Sequence, residues 1–139
     1  MRASFRALGF SVLISEPRMP DQEGFILAHY AGMRERHHPA YTRMFEHFPR
    51  ERLEEFNRIA DAEKIAATGN RAGGDPDLFA FRNTDERFFI EVKDTDRLGK
   101  KQIATFPLIE SILGCEVKLA RLRRVVGARP GDFELKQRC

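Results

Sequence analysis

The sequence is poor in cysteine and has no long apolar run, and each absence argues against a class of protein. Only two of the 139 residues are cysteines, Cys115 and the last residue, Cys139. They form no CxxC pair and no disulfide framework, which predicts a reducing, intracellular compartment. The four histidines have no Cys or His spacing that is typical of zinc sites. No stretch reaches the ~18 apolar residues that suggest a membrane span.

The N-terminal stretch MRASFRALGFSVLI has two early arginines and a short apolar patch, as secretory signals do. No small-residue cleavage site follows it, so we predict a short helix and then a strand or extended arm. The composition of the whole chain is 42% hydrophobic and 32% charged, which fits one packed domain. The net charge of +3 permits a polyanionic partner without requiring one.

The first half of the chain predicts helices. Residues 22–37 place Glu23, Ile26, Tyr30 and Met33 at helical spacing, with Glu23 at the top of an otherwise apolar stripe. A second helix is predicted over residues 40–48 and a third over residues 50–68. On the third helix, apolar residues share one face, namely Leu53, Phe56, Ala60 and Ala67. A glycine-rich turn follows, which could also hold a short strand.

The second half predicts a small mixed sheet. Strands are expected over residues 77–81 and 88–93, joined by a short turn that makes them antiparallel. A helix over residues 98–113 contains Pro107, which costs a hydrogen bond and predicts a kink. A last strand over residues 116–122 then returns through that helix, which favours a parallel crossover. The fold class expected is therefore α/β, with a mixed sheet flanked by helices.

Charged residues in the two central strands are predicted to meet. Side chains alternate between the faces of a strand, so Glu91 and Lys93 share the face of Phe89, about 7 Å apart by the strand rise. If the two strands pair through the short turn, Asp77 lies close to Glu91 and Lys93. Pro76 fixes the backbone just before Asp77 and helps to aim it.

Two converging carboxylates repel each other unless a cation neutralises them. Mg²⁺ prefers oxygen ligands, Mn²⁺ fits as well, and the backbone carbonyl of Val92 can add a ligand. Lys93 beside such an ion suits water activation or stabilisation of a charged transition state, as in a phosphodiesterase. The same three side chains could equally form a surface ion-pair network, and spacing alone leaves both interpretations open.

The motifs around these residues resemble the VRR-NUC branch of the PD-(D/E)XK nuclease superfamily, most of all the nuclease domain of Fanconi-anaemia-associated nucleases. The matching pieces stand in order along the chain: GDPDL at 74–78, an apolar strand at 88–90, EVK at 91–93, DRL at 96–98, and Gln102. The resemblance implies a restriction-endonuclease-like core. It also implies one domain in three parts: a mostly helical part over residues 1–70, a catalytic signature over 71–122, and a basic tail over 123–139.

The resemblance also implies roles for individual residues. Asp77 and Glu91 would hold the metal, Lys93 would be the catalytic lysine, and Gln102 would orient a neighbour or contact phosphate. The superfamily usually adds an acid from the first core helix. Glu23 is the first candidate, and Glu63, which we place on the face of Leu53, Phe56 and Ala60, is the alternative.

Two departures from the family pattern stand out. The segment DT at residues 94–95 replaces the usual glycine–proline loop after EVK and is one residue shorter. Asp75 adds a negative charge, which we interpret as a turn former in preference to a further metal ligand.

The function implied is a Mg²⁺-dependent deoxyribonuclease acting on flapped or branched DNA in repair or recombination. Phosphate contacts beside the site are expected from Arg71, Arg97, Lys100 and Lys101. Four further cations near the last strand are weaker candidates, namely Lys118, Arg121, Arg123 and Arg124. The alternatives are a non-catalytic DNA-binding module of the same fold and a phage or restriction-type junction-resolving nuclease. A homodimer or an association with other repair proteins is also compatible with the resemblance.

Overall fold

The computed structural model of the chain describes residues 2–15, 24–83, 85–93, 97–122 and 133–137. The helices are α1 (Arg2–Ala7), α2 (Ala31–Glu35), α3 (Pro39–Thr42), α4 (Arg50–Thr68) and α5 (Lys100–Leu113), with a 3₁₀ turn at Arg43–Glu46. The strands are β1 (Ser11–Ser15), β2 (Gly24–Phe25), β3 (Leu78–Phe81), β4 (Arg87–Lys93), β5 (Glu116–Leu122) and β6 (Phe133–Gln137).

The strands form one mixed sheet in the order β2-β1-β3-β4-β5-β6. β3 and β4 are an antiparallel hairpin with Leu78 opposite Ile90, and β4 pairs in parallel with β5. The chain passes from β4 to β5 through α5, as a parallel connection requires. The predictions of an α/β fold, of this hairpin and of this crossover are confirmed.

Apolar side chains cover both faces of the sheet, as the strand alternation predicts. Phe89 of β4 packs with Phe48, Phe79 and Phe106 in the larger core, on the side of α4 and α5. Phe88 and Ile90 point to the other face, where Phe5 of α1 joins them. Glu91 shares the face of Phe89, so the helices of the larger core determine how far that carboxylate is buried.

The helix predicted over residues 22–37 is confirmed only at Ala31–Glu35, and the prediction is wrong for residues 24–30. Gly24–Phe25 is a short strand parallel to β1, and helix begins only at Ala31. The run from Phe25 to Ala28 is buried as a continuous stretch and not along one stripe. The backbone N–H groups of Leu27 and Ala28 donate to the carboxylate of Asp75, a tertiary contact that replaces helical hydrogen bonds.

Three smaller differences separate expectation and structure. The helix predicted over residues 40–48 is a single α turn followed by the 3₁₀ turn. The glycine-rich segment between α4 and β3 holds no strand. A strand that we did not predict, β6, pairs antiparallel with β5 inside the predicted basic tail.

No helix within the described ranges combines the length and the apolar character that crossing a bilayer requires.

Pro107 lies inside α5 and is exposed, so its ring contributes little to the core. Because proline has no N–H, the carbonyl of Ile103 lacks its intrahelical donor. We expect Pro107→Ala to stabilise the protein by about 1–3 kcal/mol, allowing for the greater entropy of the unfolded chain. Urea unfolding measures this change. Ser111→Ala, at an exposed position on the same helix, is the control and should shift stability by only a few tenths of a kcal/mol. An unchanged or lowered stability for Pro107→Ala would contradict the expectation.

Candidate functional site

The predicted site residues meet at the open end of the β3–β4 hairpin. Asp77 immediately precedes β3, and the register of the hairpin places it opposite Glu91. Glu91 and Lys93 are on the same face of β4, and Gln102 reaches them from the first turn of α5. The structure therefore brings Asp77, Glu91, Lys93 and Gln102 into one cluster.

Asp77 is held by the end of the β4 backbone. Its Oδ2 accepts a hydrogen bond of 2.8 Å from the N–H of Val92. In an extended strand the N–H and C=O of one residue point to the same side, so the carbonyl of Val92 also faces the Asp77 side. The backbone carbonyl of Asp77 accepts from the N–H of Ser15 in β1. These two bonds attach Asp77 to strands on both sides of β3.

Glu91 is the most enclosed carboxylate of the cluster, with 2% of its surface exposed. Its Oε2 accepts a hydrogen bond from Nε2 of Gln102 and lies 3.3 Å from Nζ of Lys93. The side-chain oxygen Oε1 of Gln102 accepts a hydrogen bond from the N–H of Gly99, 3.0 Å away. Gln102 thus joins Glu91 to the N-terminus of α5, an arrangement that supports an orienting role.

The pKa of Glu91 is raised from its usual 4.5 to about 7. Burial of the carboxylate is the largest cause. The negative charge of Asp77 and a hydrogen bond between the two carboxyl groups raise the pKa of Glu91 further. The hydrogen bond from Gln102 and the charge of Lys93 oppose the rise. The folded chain therefore holds Glu91 in surroundings that disfavour its charge.

The oxygen atoms of the cluster fit a hard divalent cation. Oε1 of Glu91 is buried and has no hydrogen-bond partner among the described residues. Asp77 and the carbonyl of Val92 lie beside it as further oxygen donors. Within the described ranges no group of three His, Cys, Asp or Glu side chains converges, and Asp77 and Glu91 are the described carboxylates that could hold an ion here. Mg²⁺ accepts such a set, because it commonly keeps several waters as ligands.

Among the residues that the structure describes, no acid from a helix joins this cluster. Glu23 lies outside the described residues, as does Asp96 of the DRL motif. Glu63 is exposed on α4, whereas the buried face of that helix contains Leu53, Phe56 and Ala60. The interpretation that Glu63 and Ala67 belong to that face is wrong, because both side chains are solvent-exposed.

Asp75 anchors a loop and does more than form a turn. Its two carboxylate oxygens accept 2.8 Å hydrogen bonds from the N–H groups of Leu27 and Ala28. Both oxygens therefore have backbone partners, which argues against Asp75 as a metal ligand. The contact fastens the loop after β2 to the turn that delivers Asp77.

Lys64, which the sequence reasoning missed, completes this anchor. The side chain is fully buried, and its Nζ donates to the carbonyls of Ala28 (3.0 Å) and Gly73 (3.1 Å). Burial lowers the pKa of Lys64, while the charges of Asp75 and Asp61 oppose that change. A signal was present, because Lys64 follows Ala60 by four residues on the apolar face of α4.

The cations expected to contact phosphate form two groups, those beside the site and those near the last strand. Arg71, Arg97 and Lys100 are exposed, while Lys101 is half-buried and its Nζ donates to the carbonyl of Ala72. Lys118 lies over the ring of Phe88 on the other face of the sheet, 4.4 Å from its centroid, so the sheet separates its ammonium group from the cluster. Arg121 is exposed on β5, and Arg123 and Arg124 lie outside the described residues.

In comparisons with known proteins, the chain matches no protein-family model, no curated protein and no solved structure.

The raised pKa of Glu91 predicts a pH-dependent stability in the absence of metal. The folded state binds this proton more tightly than the unfolded state, so the stabilisation is present below about pH 4.5 and is lost as the pH rises through about 7. Glu91→Gln should therefore be more stable than wild type at pH 8, by about 2–3 kcal/mol, and the difference should shrink towards pH 5. Chemical unfolding in EDTA at both values measures it.

The same variants test where a metal binds. Mg²⁺ or Mn²⁺ should raise the melting temperature of the wild type at pH 8 and should have little effect on Glu91→Gln. Glu63→Gln is the matched control, which also tests the alternative helix acid. Loss of the metal response in Glu63→Gln together with its survival in Glu91→Gln would contradict our assignment.

Removal of the Lys64 ammonium should weaken metal binding as well as stability. Lys64→Met retains the buried stem but leaves two carbonyls and Asp75 without a cation, at a cost of about 3 kcal/mol. The turn that aims Asp77 would then be less fixed, so we expect the metal-dependent rise in melting temperature to need a higher metal concentration. Leu53→Ala, at the other end of α4, should cost a similar stability with no change in metal affinity. Equal metal affinities for all three proteins would contradict this role of Lys64.

Proposed function

We propose that this chain is a divalent-metal-dependent DNA phosphodiesterase with a restriction-endonuclease-like core. The observation that carries the proposal is the convergence of Asp77, Glu91, Lys93 and Gln102 at one end of the β3–β4 hairpin. The carboxylates of a surface ion-pair network are exposed, whereas Glu91 is buried and its Oε1 has no donor among the described residues, as suits an oxygen that binds a metal. The order of hairpin, crossover helix and parallel strand supports the same core.

We assign the residues of the cluster three roles: metal binding, stabilisation of negative charge and positioning. Asp77, Glu91 and the carbonyl of Val92 would hold the ion, which when bound supplies charge neutralisation at the phosphate and activation of water. Lys93 is placed to stabilise developing negative charge or to exchange a proton with water. Gln102 keeps Glu91 in position and connects it to the N-terminus of α5.

The electrostatics at the start of α5 favour a substrate with a phosphate backbone. Lys100 and Lys101 stand in the first turn of α5, which contains no acidic residue. A helix N-terminus already carries partial positive charge, so this end of α5 attracts phosphate. Recognition would rest on backbone contacts and DNA shape, because no base-reading motif is evident. Because the sequence motifs resemble those of the VRR-NUC nucleases, we propose flapped or branched DNA in repair or recombination as the substrate class.

The proposal predicts Mg²⁺-dependent cleavage of labelled flap, fork and four-way-junction DNA, with weaker cleavage of a linear duplex. Asp77→Asn preserves the size of the side chain and removes its charge, so it should lower the cleavage rate by at least about 100-fold. Glu63→Gln should cleave like wild type. Labels on both ends of each strand give the position of incision.

Two results of this experiment would count against the proposal. Equal cleavage by wild type and Asp77→Asn would remove the site assignment, since the metal would lie elsewhere. Tight, salt-dependent binding of the same DNAs without cleavage in Mg²⁺ or Mn²⁺ would favour the non-catalytic DNA-binding module.

A further inference from the structure

A cavity adjoins the glycine-rich segment between α4 and β3. We call it the Tyr30 cavity; it measures about 280 Å³, and His29, Tyr30, Met33, Arg36, Asn70 and Arg71 are among its lining residues. Its lining contains aromatic and thioether groups and two arginines, and no carboxylate. Its volume is at the small end of the range for ligand sites, about 300–1,000 Å³. Such a lining suits a flat, apolar group attached to an anion.

Gly73 brings the Tyr30 cavity close to the candidate site. A Cβ atom built on it would lie 3.5 Å from the ring of His29, which lines the Tyr30 cavity, and 3.9 Å from Cδ of Lys101. Lys101 also lines a cavity of about 420 Å³ together with Gly74, Gly99 and Gln102. Gln102 in turn contacts Glu91. The two cavities and the cluster thus follow one another along the surface.

The distance between them is short on the scale of a nucleic acid. Ala72 lines the Tyr30 cavity and Asp77 lies five residues later, so the connecting backbone spans at most about 18 Å. A DNA strand of a few nucleotides can cover that distance. Arg71, at the edge of the Tyr30 cavity, and Lys101 provide cations along the way.

Tyr30 offers the surface that an unpaired base needs. Four large apolar side chains among the described residues are exposed, and Tyr30, at 37%, is the aromatic one. The ring of His29 lies 4.0 Å away, edge to face, and braces it. Bases stack on such aromatic rings with little regard for sequence.

Arg71 makes its ion pairs with Glu35 and Asp61 over 3.4 and 3.8 Å, at a half-exposed position where such pairs contribute little. A phosphate can therefore replace them.

From these observations we propose that the Tyr30 cavity binds one unpaired nucleotide of the DNA substrate, with the base stacked on Tyr30 and a neighbouring phosphate on Arg71 or Arg36. The inference rests on the proposed function and deepens it, because it assigns a single-stranded arm to the substrate. In a fully paired duplex the bases remain stacked on one another and cannot enter the cavity. The site therefore favours flapped DNA over blunt duplex.

The experiment measures binding in EDTA, so that it does not depend on cleavage. The probes are a duplex with a single-stranded arm, which carries the fluorescent base 2-aminopurine at successive positions, and the same duplex without the arm. We expect the wild type to change the fluorescence at one or two positions of the arm. Tyr30→Ala should abolish that change and weaken binding of the armed duplex about tenfold, with little effect on the blunt duplex.

Two variants separate stacking from damage to the fold. Tyr30→Phe keeps the ring and should behave like wild type. Leu8→Ala removes an exposed apolar side chain that follows α1, the helix that packs on the other face of the sheet, and should also behave like wild type. The side chain of Tyr30 makes no capping hydrogen bond to α2, so its truncation leaves that helix cap unchanged.

The outcomes distinguish this inference from the proposed function. Wild-type binding of the armed duplex by Tyr30→Ala, or an equal loss for both duplexes, would overturn the nucleotide site even if the chain cleaves DNA. Selective loss for the armed duplex would support the site even if no cleavage is ever found.

Discussion

The geometry of the candidate site depends on one buried ammonium group. Lys64 binds the carbonyls of Ala28 and Gly73, and so joins α4 to the loop after β2 and to the turn before β3. Burying a cation costs several kcal/mol unless hydrogen bonds and opposite charges offset it, and Asp75 and Asp61 supply those charges. The turn is therefore held in a single position. Gly74 fits it because φ is +97° and a Cβ there would lie 3.2 Å from the side chain of Lys101.

The buried carboxylate of Glu91, unlike the ammonium of Lys64, is only partly compensated by its neighbours. The fold encloses this carboxylate, places Asp77 beside it and leaves Oε1 without a partner among the described residues. Lys93 and Gln102 both contact Oε2 of Glu91, so they stabilise only one of its two oxygens. A well-anchored backbone is needed to hold like charges together, and Lys64 with Asp75 supplies that anchor. Local unfavourable electrostatics of this kind are typical of functional sites.

The part of the site that is local in sequence was predictable, and the part that depends on distant contacts was not. Strand alternation correctly placed Glu91 and Lys93 on the face of Phe89, and the short turn correctly paired β3 with β4. The helical spacing at residues 26–33 misled, because Asp75, nearly fifty residues later, takes the N–H groups of that segment. β6 was missed for a similar reason, since its partner β5 and not its own composition defines it. The position of Lys64 on the apolar face of α4 was a signal of burial, but its partners are backbone carbonyls, which no sequence pattern displays.

The first turn of α5 has a charge pattern that would favour a bound phosphate. Gly99 gives the helix no side-chain cap, and Lys100 and Lys101 place positive charge where a helix prefers negative charge. Both choices cost helix stability in the isolated chain. They become favourable when a phosphate lies at this end, because it receives the backbone N–H groups and the lysine charges together. Gln102 follows in the same turn and contacts Glu91, so an anion bound there would lie next to the two carboxylates. On the function that we propose, a phosphodiester and a divalent ion bound side by side would relieve both the conflict within the helix and the conflict within the carboxylate pair.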